Sequence, residues 1–436
     1  MITKTLKSAL AIAIAAASTQ VFASGFALNE QSVSGMGTNY AGRSSSAEDS
    51  TTVFGNPAGM ARLKRQEVSL GAAAIIAKTD INDASGSAVL GGAITQPVAG
   101  SNDGDMVPFT AVPFGYYVNP LSDKWAVGFG VYAPFGLITD YEGSFQGRFF
   151  GDYSEVKVVT AQPTVSYRFN DQLSVGVGLT INRISGQLES AVPALATAES
   201  RVKIKGDDTA LGYNVGVLYE FTPQTRAGLT YHSMVDYKLE GDTRISGSDL
   251  ALGGIGAYGK YDASLKLKTP ESADFSITHE LDDQWTLYGG ATFTRWSRLE
   301  SIVVQNEGLN PTAGAQFGTI AEEQEWHDTW AYAIGASYQL NKQVVLRAGL
   351  GMDQSPTNNE HRSPRIPTGD RKTLSLGLGW SPTDDLTIDV AYSYLKEEDV
   401  DIDQSRAYAG GALVENYSST YKNSAHGIGT QVSYRF

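Results

Sequence analysis

The sequence predicts an all-β chain: a transmembrane antiparallel β-barrel of about fourteen strands, with an N-terminal plug, or hatch, inside its lumen. Three observations point there. Long segments alternate between apolar and small or polar residues, and they run to about eleven residues or more, against about 5–6 for strands of soluble sheets. Short and long connectors also alternate along the chain, which is the asymmetry of outer-membrane barrels with tight periplasmic turns and long external loops. Finally, residues 24–66 show neither period-2 nor period-3.6 apolar patterning, so they cannot build a core of their own.

Taken in order, residues 1–23 read as a cleaved secretory signal. Lys4 and Lys7 make a positive start, Ala9 to Ala17 is an apolar run, and Val21-Phe22-Ala23 is a small-residue cleavage site that leaves Ser24 as the mature N-terminus. The run is much shorter than the about 20 residues a membrane span needs. Losing the two lysines takes the formal charge from -14 to -16. No later segment approaches a transmembrane helix, so a place in a membrane requires a barrel.

The hatch, 24–66, is rich in Gly, Ser and Ala and carries Asn56-Pro57-Ala58. The barrel occupies 67–436, and its exterior is expected to meet outer-membrane lipid and lipopolysaccharide. In its last strand Ile428, Thr430, Val432, Tyr434 and Phe436 share one face, opposite Gly427, Gly429, Gln431, Ser433 and Arg435. Leu173–Asn182, Leu211–Phe221 and Trp330–Leu340 repeat the pattern. Short turns at Asn119–Asp123, Asn170–Gln172, Thr222–Gln224, Asp282–Gln284, Asn341–Gln343 and Pro382–Asp385 separate long connectors near 79–107, 137–152, 190–206, 242–257, 301–323, 354–369 and 397–421. Composition agrees: 22 Tyr, 47 Gly and 18% charged residues suit a sheet with one apolar face and aromatic girdles. An acidic balance without a basic patch argues against nucleic acid as a partner. About fourteen strands leave a bore wide enough to need filling, and the hatch is available to fill it.

The hatch and several later motifs resemble the FadL family of outer-membrane long-chain fatty-acid transporters. The resemblance covers essentially the whole mature chain. It rests on Gly25-Phe26-Ala27-Leu28-Asn29-Glu30, Ser34-Gly35-Met36-Gly37, Tyr40-Ala41-Gly42 and Asn56-Pro57-Ala58. Further matches are Leu229-Thr230-Tyr231-His232-Ser233, Trp296-Ser297, Asp328-Thr329-Trp330-Ala331-Tyr332, and Asp353-Gln354-Ser355-Pro356 followed by Arg362, Ile366-Pro367 and Asp370-Arg371. It implies a monomeric, passive, ligand-gated uptake channel. Hydrophobic cargo, chiefly fatty acid and in some relatives aromatic hydrocarbons, docks on external loops, enters a pocket near the hatch and leaves through the wall.

The same resemblance assigns candidate residues. Ser24, Gly25 and Phe26 would touch the ligand as a movable latch, with Gly25 easing rearrangement. Asp328 and Arg371 match a lumenal ion pair, since an unpaired charge in a dry lumen is costly. Pro134, Phe135 and Gly136 align with a kinked strand that opens a lateral gate. Pro113, Pro134 and Pro163 fall in three consecutive strands, and a residue with no N–H to give implies bulges or a gap there. Val192, Leu195, Leu250, Leu252 and Ile255, apolar in otherwise exposed loops, would form the external docking surface, although the 190–206 loop is shorter than expected for fatty-acid members. Phe145, Phe149 and Phe150 would contribute to docking or pack on the rim. Catalysis has little support: His232-Ser233 is the one close His/Ser pair, and neighbours in a strand point to opposite faces. No cofactor or metal is expected. Glu397-Glu398-Asp399 with Asp401 and Asp403 reads as a solvated acidic loop rather than a calcium site. The rivals are a general porin, an outer-membrane enzyme and an adhesin.

Overall fold

Alternation decides which side of each strand meets lipid. Along 173–182, Val177 and Leu179 stand outward, each 48% exposed, while Ser174, Thr180 and Asn182 are buried inside. Leu211, Leu229 and Ile334 are likewise exposed, and Asn214, Thr230 and Ser276 fully buried. A water-soluble domain has the opposite arrangement; a barrel in a bilayer requires this one.

The computed structural model describes residues 25–193, 199–247 and 254–436. The expected signal peptide, 1–23, and Ser24 lie outside the described residues, as do Leu195, Leu250 and Leu252. The strands are β1 (Glu67–Leu90), β2 (Ile94–Pro97), β3 (Thr110–Pro120), β4 (Trp125–Asp140), β5 (Tyr153–Arg168), β6 (Leu173–Val192), β7 (Ser200–Glu220), β8 (Thr225–His232), β9 (Val235–Ser246), β10 (Gly259–Thr269), β11 (Ser272–Glu280), β12 (Trp285–Thr294), β13 (Ser301–Glu307), β14 (Thr319–Glu323), β15 (Thr329–Asn341), β16 (Val344–Asp353), β17 (Arg371–Trp380), β18 (Leu386–Glu397), β19 (Val400–Tyr408) and β20 (Leu413–Arg435). With β8 continued by β9 and β10 by β11, they form a closed antiparallel barrel of 14 wall strands. Closure comes from β20, which pairs with β18 on one side and with β1 on the other. The short turns are hydrogen-bonded hairpin ends, as at Leu121–Trp125 and Leu281–Trp285, each 2.8 Å.

Much of what the sequence presents as external loop is paired instead. β2, β13, β14 and β19 all fall within the long connectors, and β6 and β7 run on to Val192 and Ser200. Backbone groups need partners beyond the membrane as well, and extending the sheet supplies them.

The segment 25–66 lies against the inward faces of the strands. It holds two short helices, α1 (Val33–Gly37) and α2 (Thr52–Gly55), and a 3-10 turn at Pro57–Arg62. Ser32 caps α1, its Oγ accepting from Gly35 N. Val33 N donates to Gln431 on β20 (2.9 Å) and Ser44 N to Ser276 on β11 (3.0 Å). Gln162 on β5 donates to Val53 O (2.7 Å), Asn214 on β7 to Phe54 O (3.1 Å) and Thr230 on β8 to Gly55 O (2.8 Å). One segment without a core of its own is thus tied to strands on opposite sides of the bore. The approach is close enough to require glycine in the wall: a Cβ on Gly228 would overlap the carbonyl oxygen of Ser44, and one on Gly176 the backbone of Pro57.

Replacing Gly228 with Ala should therefore displace the segment without opening the barrel. The expected outcome is a higher single-channel conductance in planar bilayers, with the shift in gel mobility between heated and unheated protein retained.

Candidate functional site

Among the described residues, pairing between wall strands lapses between β3 and β4, and again where 208–213 of β7 pairs with neither β8 nor β9. β3 and β4 pair only from Gly115–Val131 to Pro120–Ala126. Past that point Thr110–Phe114 pairs with β1 alone and the far half of β4 with β5 alone. The register of β4 shifts between Tyr132 and Phe135, so Ala133-Pro134 forms a bulge, as a residue without an N–H in mid-sheet demands. Pro113 lies beyond the end of β3–β4 pairing. Pro163 faces outward; its ladder with β4 runs on unbroken opposite Phe129, while pairing with β6 lapses at 162–163, as a residue without an N–H demands.

The freed edge of β4 is not left bare. Gly136 N donates to Phe26 O (2.8 Å), Leu28 N donates to Pro134 O (2.9 Å), and the Gln31 side chain donates to Ala133 O. These bonds clip residues 26–31 against Pro134, Phe135 and Gly136. They hold the Phe26 ring, 3% exposed, in a cage of aromatic rings: Trp296 at 4.9 Å, Phe135 at 5.7 Å and Trp326 at 6.0 Å between centroids. Gly25 takes a positive φ of 60°, and a Cβ there would lie 2.6 Å from the Trp326 ring. The indole N–H of Trp296 is buried without an acceptor.

Three spaces surround this clip. On the outer side an apolar pocket of about 70 Å³ is lined by Phe26, Leu137, Ile184, Leu239, Leu299 and Ile366. It shares Leu188, Ile204, Ile302, Val304 and Arg365 with a groove of about 580 Å³ at the rim, to which Val192, Ile255, Phe317 and Ile320 contribute. On the inner side a cavity of about 190 Å³ is bordered by Glu30, Tyr40, Arg43, Phe54, His232 and Phe135. Burial there raises the Glu30 carboxyl above its ordinary range. The pocket has a signal in the sequence: the inward positions of β6 change from Ser174, Thr180 and Asn182 to Ile184, Leu188 and Val192.

Several expected residues are placed elsewhere. Asp328 and Arg371 are not paired with each other. Asp328 is exposed and accepts from Ser297 N at 3.0 Å. Arg371 faces Glu397 at 2.9 Å and Asp353 at 3.6 Å, directly opposite it in register on β18 and β16. Glu397 is accordingly a buried partner of Arg371, Thr368 and Asn423, not part of a solvated acidic loop. Val192, at the end of β6, and Ile255 are not free in exposed loops: they pack in one cluster with Val202, Ala257 and Phe317, and both line the rim groove. Phe145, Phe149 and Phe150 are buried around Tyr417 and Tyr421 on the rim. His232 packs on Phe54 at 4.9 Å, and Ser233 Oγ accepts from Tyr213 N at 2.8 Å. Asn56 secures the hatch turn: its Oδ1 accepts from Ala58 N (3.0 Å), and its Nδ2 donates to Ser44 O (2.6 Å) and Val217 O (2.9 Å).

Trp326, Arg365, Arg406 and Arg347 were not singled out by sequence. Arg347 on β16 bridges Asp389 of β18 (2.7 Å) and Glu48 of the hatch (3.2 Å), and Tyr288 also donates to Glu48 (2.7 Å).

Comparison with known proteins adds to this geometry. Residues 14–436 match the model of a family described as outer membrane protein transport protein (OMPP1/FadL/TodX). The long-chain fatty acid transport protein of Escherichia coli O6:H1 is 30% identical over 460 residues, covering 99% of this chain and 98% of that one. Outer membrane protein P1 of Haemophilus influenzae is 29% identical over 467 residues, covering 99% of each. Among solved structures, a Pseudomonas aeruginosa FadL homologue superposes with a TM-score of 0.82 at 24% identity, covering 94% of this chain and 100% of the other. The Ralstonia pickettii toluene transporter TbuX gives 0.66 at 18%, covering 92% and 97%. These two establish the shared fold.

The buried ion cluster between hatch and wall has a measurable weight. Arg347→Ala should cost about 3–5 kcal/mol by stranding Asp389, read as a lower guanidinium unfolding midpoint in micelles. Arg65→Ala, which breaks the exposed pair with Asp385, should cost about 0–1 kcal/mol.

Proposed function

This chain belongs to the outer membrane protein transport family (OMPP1/FadL/TodX), and from that premise we propose that it admits hydrophobic molecules, long-chain fatty acids foremost, by passive, ligand-gated diffusion through its barrel wall. The observation that carries the reading is a continuous route, from the rim groove into the apolar pocket on the outer side of the clip, that ends on a phenyl ring bonded to the freed edge of β4.

Cargo enters the groove by burying apolar surface, which needs no external energy source. It fills the pocket and meets Phe26. Burying a phenylalanine is worth roughly 1.5–3 kcal/mol, so a ligand that buries comparable area can exchange with it. Once Phe26 leaves its cage, the two backbone bonds to β4 are free to break, and the gap between β3 and β4 faces lipid. Glycine at position 25 lets the chain rearrange at little cost. Supporting this against a general porin are the ties of segment 25–66 to strands across the bore. The packing of His232 and Ser233 against separate partners supports transport rather than catalysis. The aromatic cage favours a second cargo class, small aromatic hydrocarbons, through ring–ring contacts worth about 0.5–1.5 kcal/mol per pair.

Cells lacking fatty-acid uptake and expressing this chain should accumulate labelled oleate. Gly136→Trp, which fills the kinked edge, should reduce that rate to near background with surface protein unchanged. Full transport by this variant would rule out the lateral exit, and uptake of toluene but not oleate would select the second class.

A further inference from the structure

The cavity of about 190 Å³ on the inner side of the clip is lined by different chemistry from the apolar pocket beside it. On the wall side, Asp274 of β11 is 5% exposed. Its Oδ2 accepts from Thr292 Oγ1 at 2.6 Å, and its Oδ1 is buried with no partner. Asp274 and Thr292 face each other in register on β11 and β12; two residues along, Ser272 faces Thr294 on one side and His232 on the other. All five border the cavity. On the hatch side, Arg43 gives Nη2 to Asn29 Oδ1 (2.7 Å) and lies over the Tyr40 ring at 5.0 Å. Its Nε and the Tyr40 hydroxyl are buried without a partner. Asn39 and Tyr40 take positive φ angles of 53° and 59°, which a bulky side chain such as Tyr rarely adopts. The fold bears that strain, and it lines the cavity with an amide and a phenol.

Three buried polar atoms on two sides of this cavity thus lack a protein partner among the described residues. Asp274 Oδ1 is an acceptor, Arg43 Nε a donor, and the Tyr40 hydroxyl can be either. The other ions at the border are engaged: Arg371 with Asp353 at 3.6 Å, and Glu30 with Asn29 N at 2.9 Å. Polar groups are costly to bury dry. Their mixed character suits water, which donates and accepts, better than an ion of either sign. The cavity is far larger than the about 10–15 Å³ that one water needs. An alkyl chain offers neither donor nor acceptor. Each atom it left dry would weaken its binding at least about tenfold.

We propose that the inner cavity is a water-filled chamber closed to alkyl chains, so that cargo leaving the Phe26 pocket is turned out at the freed edge of β4 instead of settling above the hatch. This deepens the uptake reading above and rests on it. Asp274, Arg43 and Tyr40 act on the direction of passage, not on capture, because they hold water rather than cargo.

The test is X-ray hydroxyl-radical footprinting of the full protein in lipid nanodiscs, which oxidises side chains beside trapped water even where bulk solvent is shut out. Tyr132, 3% exposed, and His232 both border the chamber and should be oxidised several-fold faster than Phe26 and Trp326 in the aromatic cage. Saturating oleate should leave the two chamber rates unchanged. Asp274→Leu with Thr292→Val replaces both partners of one hydrogen bond by apolar groups, so the barrel should fold. This pair should bind oleate at least about tenfold more tightly and take it up more slowly, while Asp274→Asn, still polar, should change neither. Protection of Tyr132 or His232 by oleate, chamber oxidation no faster than that of the cage, or unchanged affinity in the double variant would overturn the proposal. Should the double variant fail to fold, Tyr40→Phe, which removes one unpartnered hydroxyl and should tighten oleate binding likewise, decides. Failure of oleate to bind the unmodified protein would sink the uptake reading; binding that protects Tyr132 and His232 would sink the chamber alone.

Discussion

A strand in a bilayer must satisfy every backbone group from within the protein, and between β3 and β4 this barrel cannot do so by pairing neighbouring strands. There the ladder stops at Gly115 and Val131, and the debt is settled by the leading segment, whose Phe26 carbonyl and Leu28 amide serve the edge of β4. The rest of the site follows from that exchange. Because the edge is satisfied by the leading segment rather than by a neighbouring strand, the same two hydrogen bonds close the wall and position the phenyl ring at the floor of the apolar pocket.

The leading segment has to be fixed elsewhere for so light an attachment to be useful. On its far side it is anchored by Arg347, Asp389, Glu48 and Tyr288, by Arg226 to the carbonyls of Ser45 and Ser46, and by the hydroxyls of Ser44, Ser45, Ser276 and Thr278. These contacts are buried and mostly charge-assisted, and so costly to break. Firm anchorage below and two neutral bonds above localise any rearrangement to the few residues around Phe26. Under the proposed function, the aromatic cage then sets a threshold that a ligand meets by replacing its buried area.

The wall was legible in the sequence because alternation with period 2 leaves little freedom: once Val177 faces lipid, Asn182 must face the lumen. The kink was legible because proline cannot complete a ladder. What sequence could not supply was register. Arg371 finds Glu397 and Asp353 because they sit across from it on β18 and β16, and nothing local to any of the three residues announces that. Asp328 precedes the first residue of β15, where alternation no longer dictates a direction. Val192 reads as loop for a related reason: its surroundings conceal that β6 continues to it, and the parity that buries Asn182 buries Val192 too, on the wall of the rim groove. Arg365 and Arg406, which meet on Glu322 at the rim groove, come from a connector and from β19, which are remote in sequence and unpatterned, so only the fold brings them together.

The seam of the cylinder joins its first long strand to its last, from Glu67 opposite Arg435 to Leu90 opposite Leu413. Contacts between such distant stretches form late, because the chain entropy of bringing them together must be met first. The wall therefore stays an open curl until the final ribbon arrives. The leading segment is joined to the first of the two ribbons that make this seam, so whatever fixes that ribbon's edge also fixes where the segment enters the bore.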